Sequence, residues 1–288
     1  MNAALQTLID RYQPVTPQDW ENALREIVQE LALLGLWRSK FFEHAAFYGG
    51  TALRIFHGLP RFSEDMDFSL LRPDAGFQLA PHLEAIRAEL SALGFTFDVD
   101  RKAKQAVTAI DSDFIKGSTR INLLEIGAPS GLSARFAPTQ RLKIKLEVDT
   151  DPPAGAFDEV RTLLIPIPFQ TRLYKLPSLL AGKLHALLCR NWKNRVKGRD
   201  FFDFIWYLGR GIPCNLAHLQ SRMEQTGHWS SGTELDETAL MQQLTQRFKV
   251  VDFDQARDDV RPFVRDADAL ALWSRAFFLS LVDQVKGN

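Results

Sequence analysis

The chain has few of the residues that mark secreted or membrane-spanning proteins. It has two cysteines among 288 residues, Cys189 and Cys214. Both stand in apolar surroundings, so we expect buried thiols rather than a disulfide. No Cys/His spacing indicates zinc. Neither end reads as a signal peptide, and no apolar run approaches the ~18 residues that span a bilayer. We therefore expect a soluble cytoplasmic protein that has no membrane partner.

The chain also lacks net charge, because 35 Lys and Arg residues balance 35 Asp and Glu residues. Binding to a polynucleotide would have to rely on local basic patches, and its affinity would be modest and salt-sensitive. Neither an internal repeat nor a low-complexity tract is present. The 45% hydrophobic content is enough to build a full core.

A glycine pair, Gly49 and Gly50, precedes a helical pattern over residues 51–57. Because glycine has no Cβ, the backbone at this point can approach a triphosphate closely. The amides at the start of the helix would then point at the anion. Glycine pairs are also common in ordinary tight turns, so this signal is weak by itself.

Two aspartates follow the glycine pair within about twenty residues. If residues 63–71 form a strand, its period of two separates a polar face (Ser63, Asp65, Asp67, Ser69) from a core face (Glu64, Met66, Phe68, Leu70). Adjacent carboxylates repel each other unless a cation lies between them. Magnesium suits the site because it takes one or two carboxylates and completes its shell with phosphates and water. An Asp-x-Asp pair is also frequent at strand ends.

A third acidic group is available on residues 141–149, which alternate strictly between apolar and charged side chains. If this strand pairs with the strand of Asp65, then Glu147 or Asp149 supplies the third carboxylate of a two-metal site. The pattern leaves open which of the two acids does so. A half-buried strand with a solvated charged face would look the same.

Two later helices carry a lysine and an aspartate. A helix from residue 177 buries a leucine stripe, and the stem of Lys183 runs beside that stripe. Its ammonium needs an anion, either a triphosphate or a carboxylate; alternatively, Lys183 extends to solvent at the edge of the helix. Asp200 stands in the first turn of the next helix, where it can pair with Lys183 or take a proton. An acid is also favoured there for capping alone.

A basic segment joins these two helices and contains Arg190, Trp192, Lys193, Arg195 and Lys197. A polynucleotide backbone would be attracted to such a segment, and Trp192 could stack on a base. An ordinary solvated turn is the alternative interpretation.

Taken in order, these motifs resemble those of the AbiEii/AbiGii toxin family. That family includes the mycobacterial MenT toxins and belongs to the DNA polymerase β-like nucleotidyltransferase superfamily. The resemblance covers about residues 45–210. It rests on Gly49-Gly50-Thr51-Ala52-Leu53-Arg54, Arg61-x-Ser63-x-Asp65-x-Asp67, Lys145-x-Glu147-x-Asp149, Ala181-Gly182-Lys183-Leu184-His185 and Arg199-Asp200-Phe201-Phe202-Asp203.

The resemblance implies transfer of a nucleoside monophosphate from a nucleoside triphosphate (NTP), with Mg²⁺ or Mn²⁺ as cofactor. Ser63 and Asp65 match the catalytic Ser-x-Asp, and Asp67 is its companion metal ligand. Lys183 and Asp200 match the two essential residues of the later motifs. The residues expected to bind the nucleotide are Gly49, Gly50, Thr51, Arg54, Ser63 and Lys145; the expected metal ligands are Asp65, Asp67, Glu147 and Asp149.

The resemblance also implies a biological role. The chain would be the toxin of a type IV toxin-antitoxin or abortive-infection system. Its acceptor would be RNA, at the 3′ end of tRNA, and its protein partner would be a cognate antitoxin. Two alternatives stay open. The acceptor is a small molecule or a protein hydroxyl, or the chain is a catalytically inactive module that binds nucleotide or RNA.

The fold class predicted from these patterns is α/β (α+β). Residues 1–170 would form a polymerase-β-like nucleotidyltransferase lobe with a mixed sheet and N-terminal helices, and residues 171–288 a helical lobe. Within the first lobe we expect one helix starting after Thr16 and another over residues 79–93. Further strands are predicted over residues 95–100, 107–111, 121–126, 142–149 and 163–169.

Overall fold

The structure is a computed structural model that describes residues 3–101, 110–125, 127–191, 195–264, 266 and 268–288. These residues form two compact units. The first unit comprises Met1–Thr51, Glu64–Pro152 and Val160–Leu173, and the second comprises Ala52–Ser63, Pro153–Glu159 and Tyr174–Asn288. The predicted lobe boundary near residue 170 stays a prediction.

The described residues contain a mixed sheet of seven strands. The strands are β1 (Ala45–Tyr48), β2 (Met66–Leu70), β3 (Asp98–Arg101), β4 (Ile110–Ser118), β5 (Arg141–Asp149), β6 (Asp158–Leu163) and β7 (Phe169–Tyr174). Their order in the sheet is β3-β4-β5-β2-β1-β7-β6. Strand β1 pairs antiparallel with β2 and parallel with β7, while β2 pairs parallel with β5. The predicted mixed sheet is therefore confirmed.

Helices make up most of the remaining described chain. They are α1 (Ala3–Asp10), α2 (Pro17–Arg38), α3 (Gly49–His57), α4 (Ala80–Ala92), α5 (Thr119–Glu125), α6 (Ser130–Ser133), α7 (Leu176–Cys189), α8 (Gly198–Leu208), α9 (Leu216–Gln225), α10 (Glu237–Val250), α11 (Phe253–Val260) and α12 (Arg275–Ser280). No helix of the described residues is long and apolar enough to cross a membrane.

The long helix α2 begins where the sequence predicts it. Thr16 accepts a hydrogen bond from the amide of Asp19, and the Asp19 carboxylate accepts one from the amide of Thr16. This reciprocal capping box satisfies two amides that a helix start leaves without a partner. Further along, α2 packs closely on α4, because a Cβ at Gly35 would lie 2.6 Å from the Cα of Ile86.

The strand prediction for residues 121–126 is wrong, because residues 119–125 form helix α5. The buried side chain of Asn122 accepts a hydrogen bond from the amide of Thr96 and donates to the carbonyls of Thr96 and Ser118. A strand would expose this amide group to apolar neighbours without those partners. Residue 126, at the end of the predicted strand, lies outside the described residues.

The strand prediction for residues 163–169 is also wrong. Strand β6 ends at Leu163, and β7 begins only at Phe169. Between them stand Pro166 and Pro168, which have no amide hydrogen to give to a strand neighbour. The apolar residues that suggested a strand, Leu164 and Ile167, are exposed in this connection. Of the predicted strand 107–111, only residues 110 and 111 are described, and they belong to β4.

Both cysteines are free thiols, as the sequence predicts. Cys214 is buried and Cys189 is half-buried. Burial raises the pKa of Cys214 to about 12 and that of Cys189 to about 11. Both thiols are therefore protonated near neutral pH.

His218, in α9, is completely buried in the second unit. Its Nδ1 lies 2.8 Å from the carbonyl oxygen of Ala154, and its ring meets that of Tyr174 edge-on. Burial is the main cause that lowers the pKa of His218 to about 4. The imidazole of His218 is therefore neutral in the folded unit near neutral pH.

Because the pKa of His218 is lower in the folded chain, we expect the free energy of unfolding to decrease as the pH falls from 6.5 towards 4. In that range the unfolded chain takes up a proton at His218 while the folded chain does not, so the free energy of unfolding decreases by at most about 1.4 kcal/mol per pH unit. The His218→Asn variant should have a shallower dependence. Chemical denaturation of both proteins between pH 7 and 4 measures the difference, and His228→Asn controls for loss of an exposed imidazole. Equal slopes for wild type and His218→Asn would contradict the prediction.

Candidate active site

The glycine turn lies against one of the predicted metal ligands. Gly49 has a φ of +82°, and a Cβ at this position would lie 2.5 Å from Oδ2 of Asp67. In the sheet, Tyr48 on β1 is paired with Asp67 on β2, which brings the turn after β1 to the carboxylate. Gly49 is therefore required both by its backbone conformation and by the space that Asp67 takes.

The segment that leads into β2 is held by two side chains of the first unit. The hydroxyl of Thr51 donates a short hydrogen bond to the carbonyl oxygen of Asp65. The amide of Gln29, a buried residue of α2, donates to the carbonyl oxygen of Glu64 at 3.0 Å. These contacts fix the backbone of Asp65. Gln29 was not predicted, since a glutamine within a long helix gives no sequence signal.

The strand with the third acidic group lies beside β2, as predicted. In the parallel pair of β2 and β5, Asp67 is level with Glu147, and Ser69 is level with Asp149. Neighbouring strands are about 4.8 Å apart, and residues at the same level point to the same side. The sheet therefore brings Asp67 and Glu147 together, and places Asp149 two residues further along.

The alternation predicted for residues 141–149 is confirmed. Leu142, Ile144, Leu146 and Val148 are buried, while Lys145, Glu147 and Asp149 are half-buried. The ammonium of Lys145 lies 2.5 Å from Oε1 of Glu147. The acidic face thus carries its own counter-charge.

The oxygen donors of this face suit a hard divalent cation. Asp67 and Glu147 are adjacent carboxylates, and magnesium takes one or two such ligands from a protein. Within the described residues, no group of three or more His, Cys, Asp or Glu side chains is gathered closely enough to hold a metal ion. Asp149 is engaged locally, because its Oδ1 accepts a hydrogen bond from the amide of Asp151.

The second unit holds the other predicted catalytic residues, Ser63, Lys183 and Asp200. Lys183 lies on α7, and its ammonium is 2.7 Å from Oδ1 of Asp200 in the first turn of α8. The predicted pairing of these two residues is present. Only 12% of the Lys183 side chain is exposed, so the ammonium is held inside the unit rather than in solvent.

Two charged residues that were not predicted as site residues complete a buried network. Asp203, one turn after Asp200, lies 2.8 Å from the ammonium of Lys183. The guanidinium of Arg61 donates to both oxygens of Asp203, at 2.6 Å each. At the other end, Arg190 donates to Oδ2 of Asp200 at 2.7 Å. The network joins three cations to two carboxylates.

The network shifts the pKa values of Asp200 and Lys183 in favour of their charged forms. Burial alone would raise the pKa of Asp200, but Lys183 and Arg190 outweigh it and lower the value. Burial would lower the pKa of Lys183, but Asp200 and Asp203 raise it. Tyr207, one turn beyond Asp203, is fully buried, and burial and the Asp203 charge raise its pKa well above the ordinary value.

Two residues expected to bind nucleotide, Arg54 and Ser63, belong to the second unit. The guanidinium of Arg54 donates to the carbonyl oxygen of Leu59 at 3.0 Å and stacks on the ring of Phe62, 4.6 Å from its centroid. Ser63 is half-buried and follows this anchored segment directly.

The basic segment is described in part, since Trp192 and Lys193 lie outside the described residues. Arg195 is exposed and pairs with Asp259, which also accepts a hydrogen bond from the amide of Gly198 at the start of α8. Lys197 is half-buried, and its pKa is lowered by burial and by Arg190. The described part is thus a cationic surface near the start of α8.

Two acidic strands beside a glycine turn can hold the metal ions and phosphates of a nucleotide. The protein is a nucleotidyltransferase. Residues 31–279 match the family described as "Nucleotidyl transferase AbiEii toxin, Type IV TA system". The chain belongs to the AbiEii family, as its motifs indicated.

Two of the solved structures that resemble the chain come from Helicobacter pylori. JHP933 from Helicobacter pylori is 17% identical, covers 90% of this chain and 90% of its own, and superposes with a TM-score of 0.50. A candidate nucleotidyltransferase from H. pylori is also 17% identical, covering 90% of this chain and 92% of its own at a TM-score of 0.48. At such identity the likeness concerns the fold alone. No curated protein sequence matches the chain.

Proposed function

We propose that this nucleotidyltransferase moves a nucleoside monophosphate from an NTP to an RNA acceptor, the 3′ end of tRNA, in the cytoplasm. The acceptor hydroxyl would attack the α-phosphate, a phosphodiester bond would form, and pyrophosphate would leave. The observation that carries the proposal is the level placement of Asp67 and Glu147 on parallel neighbouring strands beside the Gly49 turn.

The acidic face supports a dependence on Mg²⁺ or Mn²⁺. Asp67 and Glu147, which are level with each other, would hold the cation, and Asp65 would be a third ligand only once the cation draws it in. Asp149 is level with Ser69 instead. The bound cation would neutralise phosphate charge and lower the pKa of the attacking hydroxyl. Lys145, beside Glu147, would add positive charge for the triphosphate.

Other residues of the chain would position the nucleotide. Gly49 and Gly50 let the backbone approach the phosphates, and Ser63 would donate a hydrogen bond to a phosphate oxygen. Thr51 would act through Asp65, because its hydroxyl donates to the carbonyl of that residue. Lys183 would neutralise phosphate charge, and Asp200, which accepts a hydrogen bond from its ammonium at 2.7 Å, would orient Lys183.

The cationic surface near α8 supports RNA as the acceptor. Arg190, Arg195 and Lys197 would contact the phosphate backbone, with Trp192 and Lys193 of the same segment as further contacts. Membership in a toxin-antitoxin family supports a cognate antitoxin as partner and arrest of translation as the outcome.

A transfer assay tests the function. Purified protein, Mg²⁺ and each α-labelled NTP in turn are incubated with total tRNA, beside the Asp65→Ala variant. Label on tRNA with wild type only is the expected result. Label on a small molecule or on protein would move the acceptor to another class. Binding of NTP without any transfer would support a catalytically inactive module.

The RNA surface gives a separate prediction. Lys197→Gln should raise the KM for tRNA and reduce the slope of log affinity against log salt by about one, because one phosphate contact is lost. The KM for NTP should stay the same. Transfer assays at several salt concentrations measure both, with exposed Lys249→Gln as the matched control. An unchanged salt slope for Lys197→Gln would exclude this contact.

A further inference from the structure

We infer that Arg61 and Asp203 are positioning residues for nucleotidyl transfer, because their buried two-pronged ion pair fixes the backbone immediately before Ser63. This inference rests on the proposed function. Nothing in the motif pattern assigns either residue a role in the reaction. Arg61 stands two residues before Ser63 in the sequence, and Asp203 comes from α8.

The pair is enclosed and geometrically complete. Nε and Nη2 of Arg61 each lie 2.6 Å from a separate oxygen of Asp203. The side chain of Arg61 is 3% exposed and that of Asp203 is 0% exposed. A planar guanidinium that meets a carboxylate through two parallel hydrogen bonds is held in a defined orientation. The pair therefore restrains the Arg61 side chain and, through it, the backbone.

Further contacts pass this constraint to the next residues. Nη1 of Arg61 donates to the carbonyl oxygen of Phe62 at 2.9 Å. The amide of Phe62 donates to the carbonyl oxygen of Phe263 at 3.0 Å, and Arg61 forms an antiparallel bridge with Val264. The backbone is thus held on both sides up to Ser63, the residue proposed to touch a phosphate oxygen.

Stability alone does not account for these buried charges. Replacing a buried ion pair with well-packed apolar residues is often neutral or stabilising, since both charges lose their hydration on burial. Asp203 is moreover shared, because it binds Lys183 at 2.8 Å as well as Arg61. One carboxylate therefore contacts both Lys183, which matches an essential family position, and Arg61, two residues before Ser63.

The chain offers a matched control pair in the first unit. Arg11 also donates to both oxygens of a buried acid, Glu30, but neither residue lies in a motif. Loss of this pair should lower the melting temperature without changing the turnover of the folded protein. Comparison with this control pair therefore separates the general loss of stability on breaking an Arg–carboxylate pair from an effect on the transfer reaction.

The experiment compares wild type with Arg61→Ala, Asp203→Asn and Arg11→Ala. It measures kcat per folded molecule, melting temperature and the Kd of a non-reactive α,β-methylene NTP. We expect kcat to fall about 100-fold for Arg61→Ala, since a misplacement of about 1 Å has an effect of that size. The Kd should stay within about tenfold. Guanidinium added at low millimolar concentration should raise the kcat of Arg61→Ala at least tenfold, whereas sodium chloride at the same concentration should not.

Asp203→Asn keeps the side-chain shape, so it serves where Arg61→Ala does not fold. It should lose kcat without rescue by guanidinium, because the carboxylate that would bind this ion is gone. The inference is overturned if folded Arg61→Ala or Asp203→Asn keeps the kcat of wild type. It is also overturned if Arg11→Ala loses as much kcat as Arg61→Ala. Either result leaves the proposed function standing. Absence of transfer in wild type overturns the proposed function and the inference with it.

Discussion

Replacing Asp67 with alanine is expected to reduce nucleotidyl transfer by at least about 1,000-fold, because the phosphates lose the charge compensation that a bound cation supplies. Asp67 is level with Glu147 and lies directly against the Gly49 turn. Glu147 is already paired with Lys145, so its carboxylate cannot take the place of Asp67. Transfer of label from NTP under saturating Mg²⁺ measures the loss.

The same substitution should leave the fold intact. Removing one of two adjacent carboxylates relieves repulsion, so we expect an unchanged or slightly raised melting temperature. Asp98→Ala, which removes a largely exposed carboxylate on β3, is the control and should keep full activity. A collapse of the melting temperature in Asp67→Ala would instead show that Asp67 is structural.

The acidic face could be predicted from sequence to a large extent. Strict alternation identified which side chains of β5 are polar, and the spacing of Asp65 and Asp67 indicated a second acidic strand. The choice between Glu147 and Asp149 could not be made, because an alternating strand can pair in several registers. Register is set by the backbone hydrogen bonds of the assembled sheet, and these place Glu147 level with Asp67.

The buried network was only half predictable. Lys183 and Asp200 stand on two successive helices, and pairing between them was one of the roles that the sequence suggested for Asp200. Arg61 and Asp203 are separated by 142 residues, and no local sequence pattern predicts their contact. The helix at residues 119–125 was missed for a related reason, since the contacts of Asn122 with residue 96 override the local strand preference.

Thr51 illustrates how contacts change the interpretation of a motif residue. The motif suggested a nucleotide ligand, yet Thr51 is fully buried and its hydroxyl donates to the carbonyl oxygen of Asp65. A residue next to a glycine turn can thus serve the site by holding a neighbouring strand. Only the folded chain distinguishes the two roles.

The second large effect is expected for Lys183→Met, which removes the cation between two buried carboxylates. Asp200 would retain Arg190, and Asp203 would retain Arg61, but each would lose its contact with the ammonium. Breaking a buried ion pair from one side costs about 3–5 kcal/mol. The melting temperature should therefore fall by roughly 6–15 °C, as differential scanning calorimetry can measure.

The charge origin of this loss can be tested with a second substitution. Adding Asp200→Asn to Lys183→Met removes a buried carboxylate that keeps only the partly exposed Arg190, so the double variant should be more stable than Lys183→Met. Exposed Lys249→Met should leave the melting temperature unchanged. If Asp200→Asn instead adds to the loss, packing of the Lys183 stem, rather than its charge, stabilises the unit.

The pH dependence of the network follows from the direction of its pKa shifts. The folded pKa of Asp200 lies below the ordinary 3.8, so its contribution is complete above that value and is lost as the pH falls through the folded pKa. The folded pKa of Lys183 lies above the ordinary 10.5, so its contribution is complete below that value and is lost as the pH rises further. The stability difference between wild type and Lys183→Met should therefore be greatest between these limits and shrink in stronger acid. A difference that stays constant at low pH would show that ion pairing with Asp200 is not its source.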